Sequence, residues 1–67
     1  MSLQPEKEVR IEVTLSDQAA WHFAQFLKRS TFTTYYDCAA DKDEAYEMIY
    51  AGEKVRQALA AAGYEPR

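Results

Sequence analysis

Two glycines, two prolines, one cysteine and one histidine are all that this 67-residue chain holds of the residues that punctuate, staple or ligate small folds. Each shortage excludes something. With Cys38 the sole cysteine, no intramolecular disulfide can form, and one thiol beside one imidazole, His22, cannot build a structural zinc site. A lone thiol fits a reducing compartment. Gly52 and Gly63 are too few and too far apart for a glycine-rich phosphate loop. No apolar run approaches the roughly 20 residues of a membrane span, and MSLQPEKEVR has no apolar h-region of a signal peptide. No membrane association is expected, and the cytoplasm is the expected location.

What is present suffices for a folded domain. Hydrophobic residues make up 48% and aromatics 13%, which argues against disorder. A chain this short is still marginal alone, because it buries only about 60% of its unfolded surface. Without a staple, the remaining common device is an oligomer. The net charge is −3 and unevenly spread: Asp37, Asp41, Asp43, Glu44 and Glu47 face a single base, Lys42, between positions 37 and 47, a local net of −4. Such a patch repels phosphates and attracts basic surfaces.

Residues 1–8 read as a flexible tail and 9–67 as one small domain. From Val9 the pattern alternates strictly, with Val9, Ile11, Val13 and Leu15 on one side and Arg10, Glu12 and Thr14 on the other, as in a strand with one buried face. Ser16 or Asp17 offers an N-cap for a helix over 17–29, on which Ala19, Ala20, Phe23, Phe26 and Leu27 share one face. Trp21 projects from the polar side. A second main helix is expected over 42–62, opened by Asp41 and Glu44 in capping-box spacing. Its apolar stripe is Ala45, Met48, Ile49, Gly52, Val55, Leu59 and Ala62. Gly63 suits the left-handed position after its end, with Tyr64 folding back on Leu59. Between them, TFTTYY at 31–36 is expected to be loop to residue 33. A turn or short helix over 34–39 follows, with Thr33 or Thr34 capping, Phe32 pointing inward and one of Tyr35 and Tyr36 exposed. The expected fold class is α+β, a β-α-α protomer. Its single strand would leave backbone groups unpaired, so an antiparallel two-fold homodimer through Val9–Leu15 is expected.

Three function classes compete. Strand-helix-helix resembles the ribbon-helix-helix regulators and antitoxins, in which outward ribbon residues enter the major groove. Arg10, Glu12 and Thr14 are then the DNA-contacting candidates. Glu6-Lys7-Glu8 is not basic, however, and no cationic face is visible. Enzyme chemistry has little to stand on. Nothing marks Cys38 as activated, and His22 lies on the polar stripe of the first helix. The acids at 41–47 sit where a helix start wants them and lack a calcium-loop pattern. No catalytic residue, metal or cofactor is expected. Protein binding is the third class. Trp21, Tyr46 and Tyr50 project off the apolar stripes, Tyr35 or Tyr36 joins them, and all accompany Asp37, Asp41, Asp43, Glu44 and Glu47. Tryptophan and tyrosine dominate interface hot spots.

The runs EAYEM at 44–48, KVRQALAAAGY at 54–64 and QFLKR at 25–29 resemble a family of short proteobacterial proteins of unknown function associated with phages, plasmids and other mobile elements. The similarity spans about residues 9–66 and brings no catalytic residues. It implies a context in which small acidic proteins act as inhibitors of host defence, anti-CRISPR proteins among them. The function expected is therefore non-enzymatic binding to a basic host protein or nucleoprotein complex. The alternative is a ribbon-helix-helix-like DNA-binding regulator or antitoxin.

Overall fold

The computed structural model describes residues 7–67, which fold into three helices. The first, α1, spans Asp17–Arg29, α2 spans Phe32–Tyr36 and α3 spans Lys42–Ala61. Among the described residues there is no strand. The fold is helical, not α+β, and the β-α-α protomer with its paired strand over Val9–Leu15 is corrected accordingly. The physical reason is that a strand exists through ladder hydrogen bonds to a neighbour. Among the described residues no other segment is a strand, and residues 9–15 make no backbone hydrogen bond to any of them. Alternation chose a side for each side chain without creating a sheet: Ile11, Val13 and Leu15 all border one apolar groove. Arg10, Glu12 and Thr14 are exposed on the same irregular segment, and there is no ribbon to carry them into a groove of DNA. Of the tail expected over 1–8, residues 1–6 lie outside the described residues.

Local signals place the helices. Ser16 caps α1, its Oγ accepting from the Ala19 amide at 3.1 Å, and Lys28 and Arg29 sit in the last turn, where cations complement the dipole. Asp41 caps α3, with Oδ1 accepting from the Glu44 amide at 2.8 Å. The return bond of a capping box goes one residue further back, from the Ala40 amide to Glu44 Oε1 at 3.3 Å. The far end of α3 is a Schellman motif: the Tyr64 amide donates to the Leu59 carbonyl at 2.8 Å and the Gly63 amide to the Ala60 carbonyl at 3.0 Å, with Gly63 at φ 103°. The middle helix starts earlier than expected. Thr31, not Thr33 or Thr34, is its cap, and Thr31 and Thr34 bond reciprocally, each side chain to the other's amide. Loop at 30–33 and helix over 34–39 are thus corrected to a cap at 31 and helix over 32–36.

Helix lengths explain the packing. At 1.5 Å per residue α3 is about 30 Å long and α1 about 20 Å. The C-terminal end of α3 returns to the start of α1, because Tyr64 reaches Asp17 and Trp21. The surplus length of α3 takes up α2, which packs on its first half: Phe32 meets Tyr46, and the Tyr35 ring lies over Gly52. A Cβ at position 52 would collide with the Tyr35 hydroxyl and stand 3.1 Å from its Cζ. Here a glycine in mid-helix, which costs about 1 kcal/mol relative to alanine, makes room for a half-buried tyrosine.

The buried core is small and made mostly of alanine. Ala20, Ala24 and Leu27 on α1 and Ala45 on α3 are the buried hydrophobics, with Ala24 and Ala45 fully covered. The large residues expected beside them on α1, Phe23 and Phe26, face outward instead.

Candidate functional site

The site is built from α2 and the first half of α3. On α3, Asp43, Tyr46, Glu47 and Tyr50 follow the i, i+3, i+4, i+7 spacing of one helical face, and all four are exposed. The short helix α2 extends this face sideways. Phe32 lies 5.4 Å, centroid to centroid, from both Tyr36 and Tyr46, and Tyr46 lies 6.4 Å from Tyr50 in a stacked arrangement. Four exposed rings thus form a continuous ladder, Tyr36–Phe32–Tyr46–Tyr50, with separations typical of favourable aromatic pairs. Carboxylates flank it. Asp37 follows Tyr36 directly, and Asp43 and Glu47 share the α3 stripe with Tyr46 and Tyr50. The acidic field stops one turn on, where Glu53 pairs with the Arg56 guanidinium at 2.8 Å. That hydrogen bond holds the Glu53 carboxyl below its ordinary range.

The residues singled out in the sequence separate into three groups. Tyr36, Asp37, Asp43, Tyr46, Glu47 and Tyr50 come together around the ladder. Asp41 and Glu44 lie at its edge with both carboxylates committed to capping α3. Tyr35 is the drier of the two adjacent tyrosines, half-buried over Gly52, and Tyr36 is the exposed one. Trp21 is not part of the ladder. It stands at the start of α1 with Tyr64 edge-on at 5.2 Å, and Tyr50 and Tyr64 are separated by about 20 Å of helix and turn. Phe32 is the ring that sequence reasoning left out, having been assigned inward. A five-residue α2 does not bury it; it bridges Tyr36 and Tyr46 while remaining exposed. Its spacing to Tyr36 of four residues was the available signal.

At the opposite end, the C-terminal residues clasp α1. The Tyr64 phenol donates to Asp17 Oδ1 at 2.5 Å, and Lys28 Nζ donates to the Pro66 carbonyl at 3.0 Å. Tyr64 was expected to fold back on Leu59. Its backbone does so, while its ring goes to Trp21. The hydrogen bond to Asp17, then desolvation and the Asp17 charge, raise the phenol above its ordinary value of 10.0. A raised folded-state pKa contributes stability that is complete below the unfolded value, near pH 10, and is lost as pH rises through the higher folded value. Tyr64→Phe is therefore expected to melt below the parent at pH 8, and the gap should narrow as the pH is raised above 10. Circular dichroism melts across that range check this; a gap that stays constant means that the phenol bond is not formed.

Cys38 is exposed in the turn after α2. Among the described residues, no three histidine, cysteine or carboxylate side chains are grouped to hold a metal ion, and no helix is long and apolar enough to cross a membrane. No curated protein and no solved structure matches the chain. Residues 1–67 match a family of unknown function, DUF7706, and the chain belongs to that family.

Proposed function

We propose that this protein is a non-enzymatic binding module that docks the Tyr36–Phe32–Tyr46–Tyr50 ladder and its flanking carboxylates onto a basic surface of another macromolecule. The observation that carries this is the continuity of the four exposed rings with free carboxylates on the same stripe. Rings give a rigid contact area at small entropic cost, and the carboxylates steer a cationic partner. Arginine suits both halves of such a surface, since guanidinium groups stack on rings and pair with carboxylates. A groove that ordinarily holds nucleic acid has this chemistry. In the narrower form of the proposal the protein competes for such a groove in a host complex, as an anti-CRISPR-like inhibitor from a phage or mobile element does.

The test uses arginine-rich peptides, with acidic scrambled peptides as control, and reads binding by fluorescence anisotropy at two salt concentrations. The parent chain should bind the basic set, more weakly at high salt. Asp43→Lys with Glu47→Lys, and separately Tyr50→Ala, should each lose roughly fivefold or more in affinity, about 1 kcal/mol, a loss that only a minority of interface residues produce, with an unchanged helical spectrum. Asp41 and Glu44 are left intact because reversing them removes the α3 cap. Equal binding of basic and acidic peptides, or variants as tight as the parent, would end the proposal.

A further inference from the structure

On the face formed by α1, α3 and the segment before α1 lies an open groove of about 810 Å³. Ile11, Val13, Leu15, Phe23, Phe26 and Val55 border it, and among the described residues His22 is the only polar one along it. These are among the largest apolar side chains of the protein, and they are uncovered: Ile11 is 71% exposed, Val13 65%, Phe26 53% and Phe23 42%.

We propose that the groove is closed by the same groove of a second copy of this chain, so that the folded unit is a two-fold homodimer. Three observations select a second copy. First, the buried core consists of Ala20, Ala24, Leu27 and Ala45. That is too little apolar burial to offset the ordering of a chain this size, about 1.5 kcal/mol per residue. The missing cover must be present whenever the chain folds, and the chain itself always is. Second, the area matches. The exposed apolar residues that border the groove at 11, 13, 15, 23, 26 and 55 offer on the order of 550 Å², close to the roughly 600 Å² per partner at which specific interfaces begin. Third, an isologous contact sets a patch against itself, and so needs a patch without one sign of charge. This face meets that condition, because no aspartate, glutamate, lysine or arginine is among the described residues that border the groove. The packing is carried by side chains and requires no β-ladder.

The full chain is placed in sedimentation equilibrium from about 1 to 100 μM. A mass of twice 7.7 kDa is expected, together with a melting temperature that rises with protein concentration, as folding linked to association demands. In an equimolar mixture of ¹³C-labelled and unlabelled chains, isotope-filtered spectra should show contacts between copies from Phe26 ring protons to Ile11 or Val13 methyls. Ile11→Asp lies outside every helix, so it leaves helix packing untouched and should weaken the dimer at least tenfold. The proposal is overturned by a 7.7 kDa species with a concentration-independent melt. A dimer whose contacts between copies avoid these residues, or an Ile11→Asp chain that dimerises as well as the parent, also overturns it. None of these readouts involves the acidic edge, so failure here leaves the proposed binding surface standing, and the converse holds.

Discussion

Leu27→Ala is expected to remove most of the stability of this protein. Leu27 is 7% exposed and is the only large side chain among the buried hydrophobics of the described residues. Truncating a buried leucine costs about 2–5 kcal/mol, the upper end applying where the surroundings cannot collapse into the space. A chain of 67 residues has roughly 3–10 kcal/mol in all. The neighbours on the α1 stripe, Ala20 and Ala24, are already as small as side chains usefully become, so they offer nothing to move into the void. The expected result in urea is a midpoint far below the parent's, with the slope retained if the denatured state is unchanged. Loss of helical signal even without denaturant would be the stronger form of the same outcome. A shift below about 1 kcal/mol, the range of ordinary surface changes, would mean that Leu27 is not the anchor between α1 and α3.

The importance of Leu27 also shows what was legible beforehand. Helix ends are written locally. Ser16, Asp41 and Gly63 each act through a side chain or a φ angle within a few residues, so α1 ends where expected and α3 within one residue of it. Faces are written locally too, and Phe23, Phe26 and Leu27 do lie on the apolar side of α1. Periodicity does not say what covers a face. Within one chain, α3 covers the narrow edge of that face carrying Ala20, Ala24 and Leu27, and leaves the phenylalanines in the groove. The alternation of Val9–Leu15 failed for a related reason: a strand is a property of two segments, and the second is absent from the described residues. Trp21 is exposed, as its place on the polar side of α1 implied, but its pairing with Tyr64 was not legible, because that ring lies 43 positions away (64 − 21) on a segment whose path depends on the Schellman turn. The ladder was half legible. Tyr46 and Tyr50 follow from helix geometry, whereas Phe32 and Tyr36 join them only once Thr31, rather than Thr33 or Thr34, is known to start α2.

Ala24→Leu should be nearly as damaging as Leu27→Ala, for the opposite reason. Ala24 is fully buried, one turn from both Ala20 and Leu27 on the edge of α1 that meets α3. Interaxial distances of packed helices run over about 8–10 Å with the size of the side chains at the contact, and a larger residue here has no space to enter. Three added carbons must displace α3 or force a strained rotamer, at about 1–3 kcal/mol and occasionally more. Helix propensity does not confuse the result, because leucine is nearly as good a helix former as alanine. Ala51→Leu makes the same chemical change at an exposed position of α3 and should stay within about 0.5 kcal/mol of the parent. If Ala24→Leu matches that control, α1 and α3 are not in close contact at this level. The double variant Ala24→Leu with Leu27→Ala sharpens the test. The cavity left at 27 lies one turn from the crowding at 24, so each change supplies what the other lacks. The two losses should sum to more than the double variant loses, with a coupling of about 0.5–3 kcal/mol, the range for residues that share a packing site. Simple additivity in denaturant titrations would place the two side chains in separate environments and break the single-stripe account of the core.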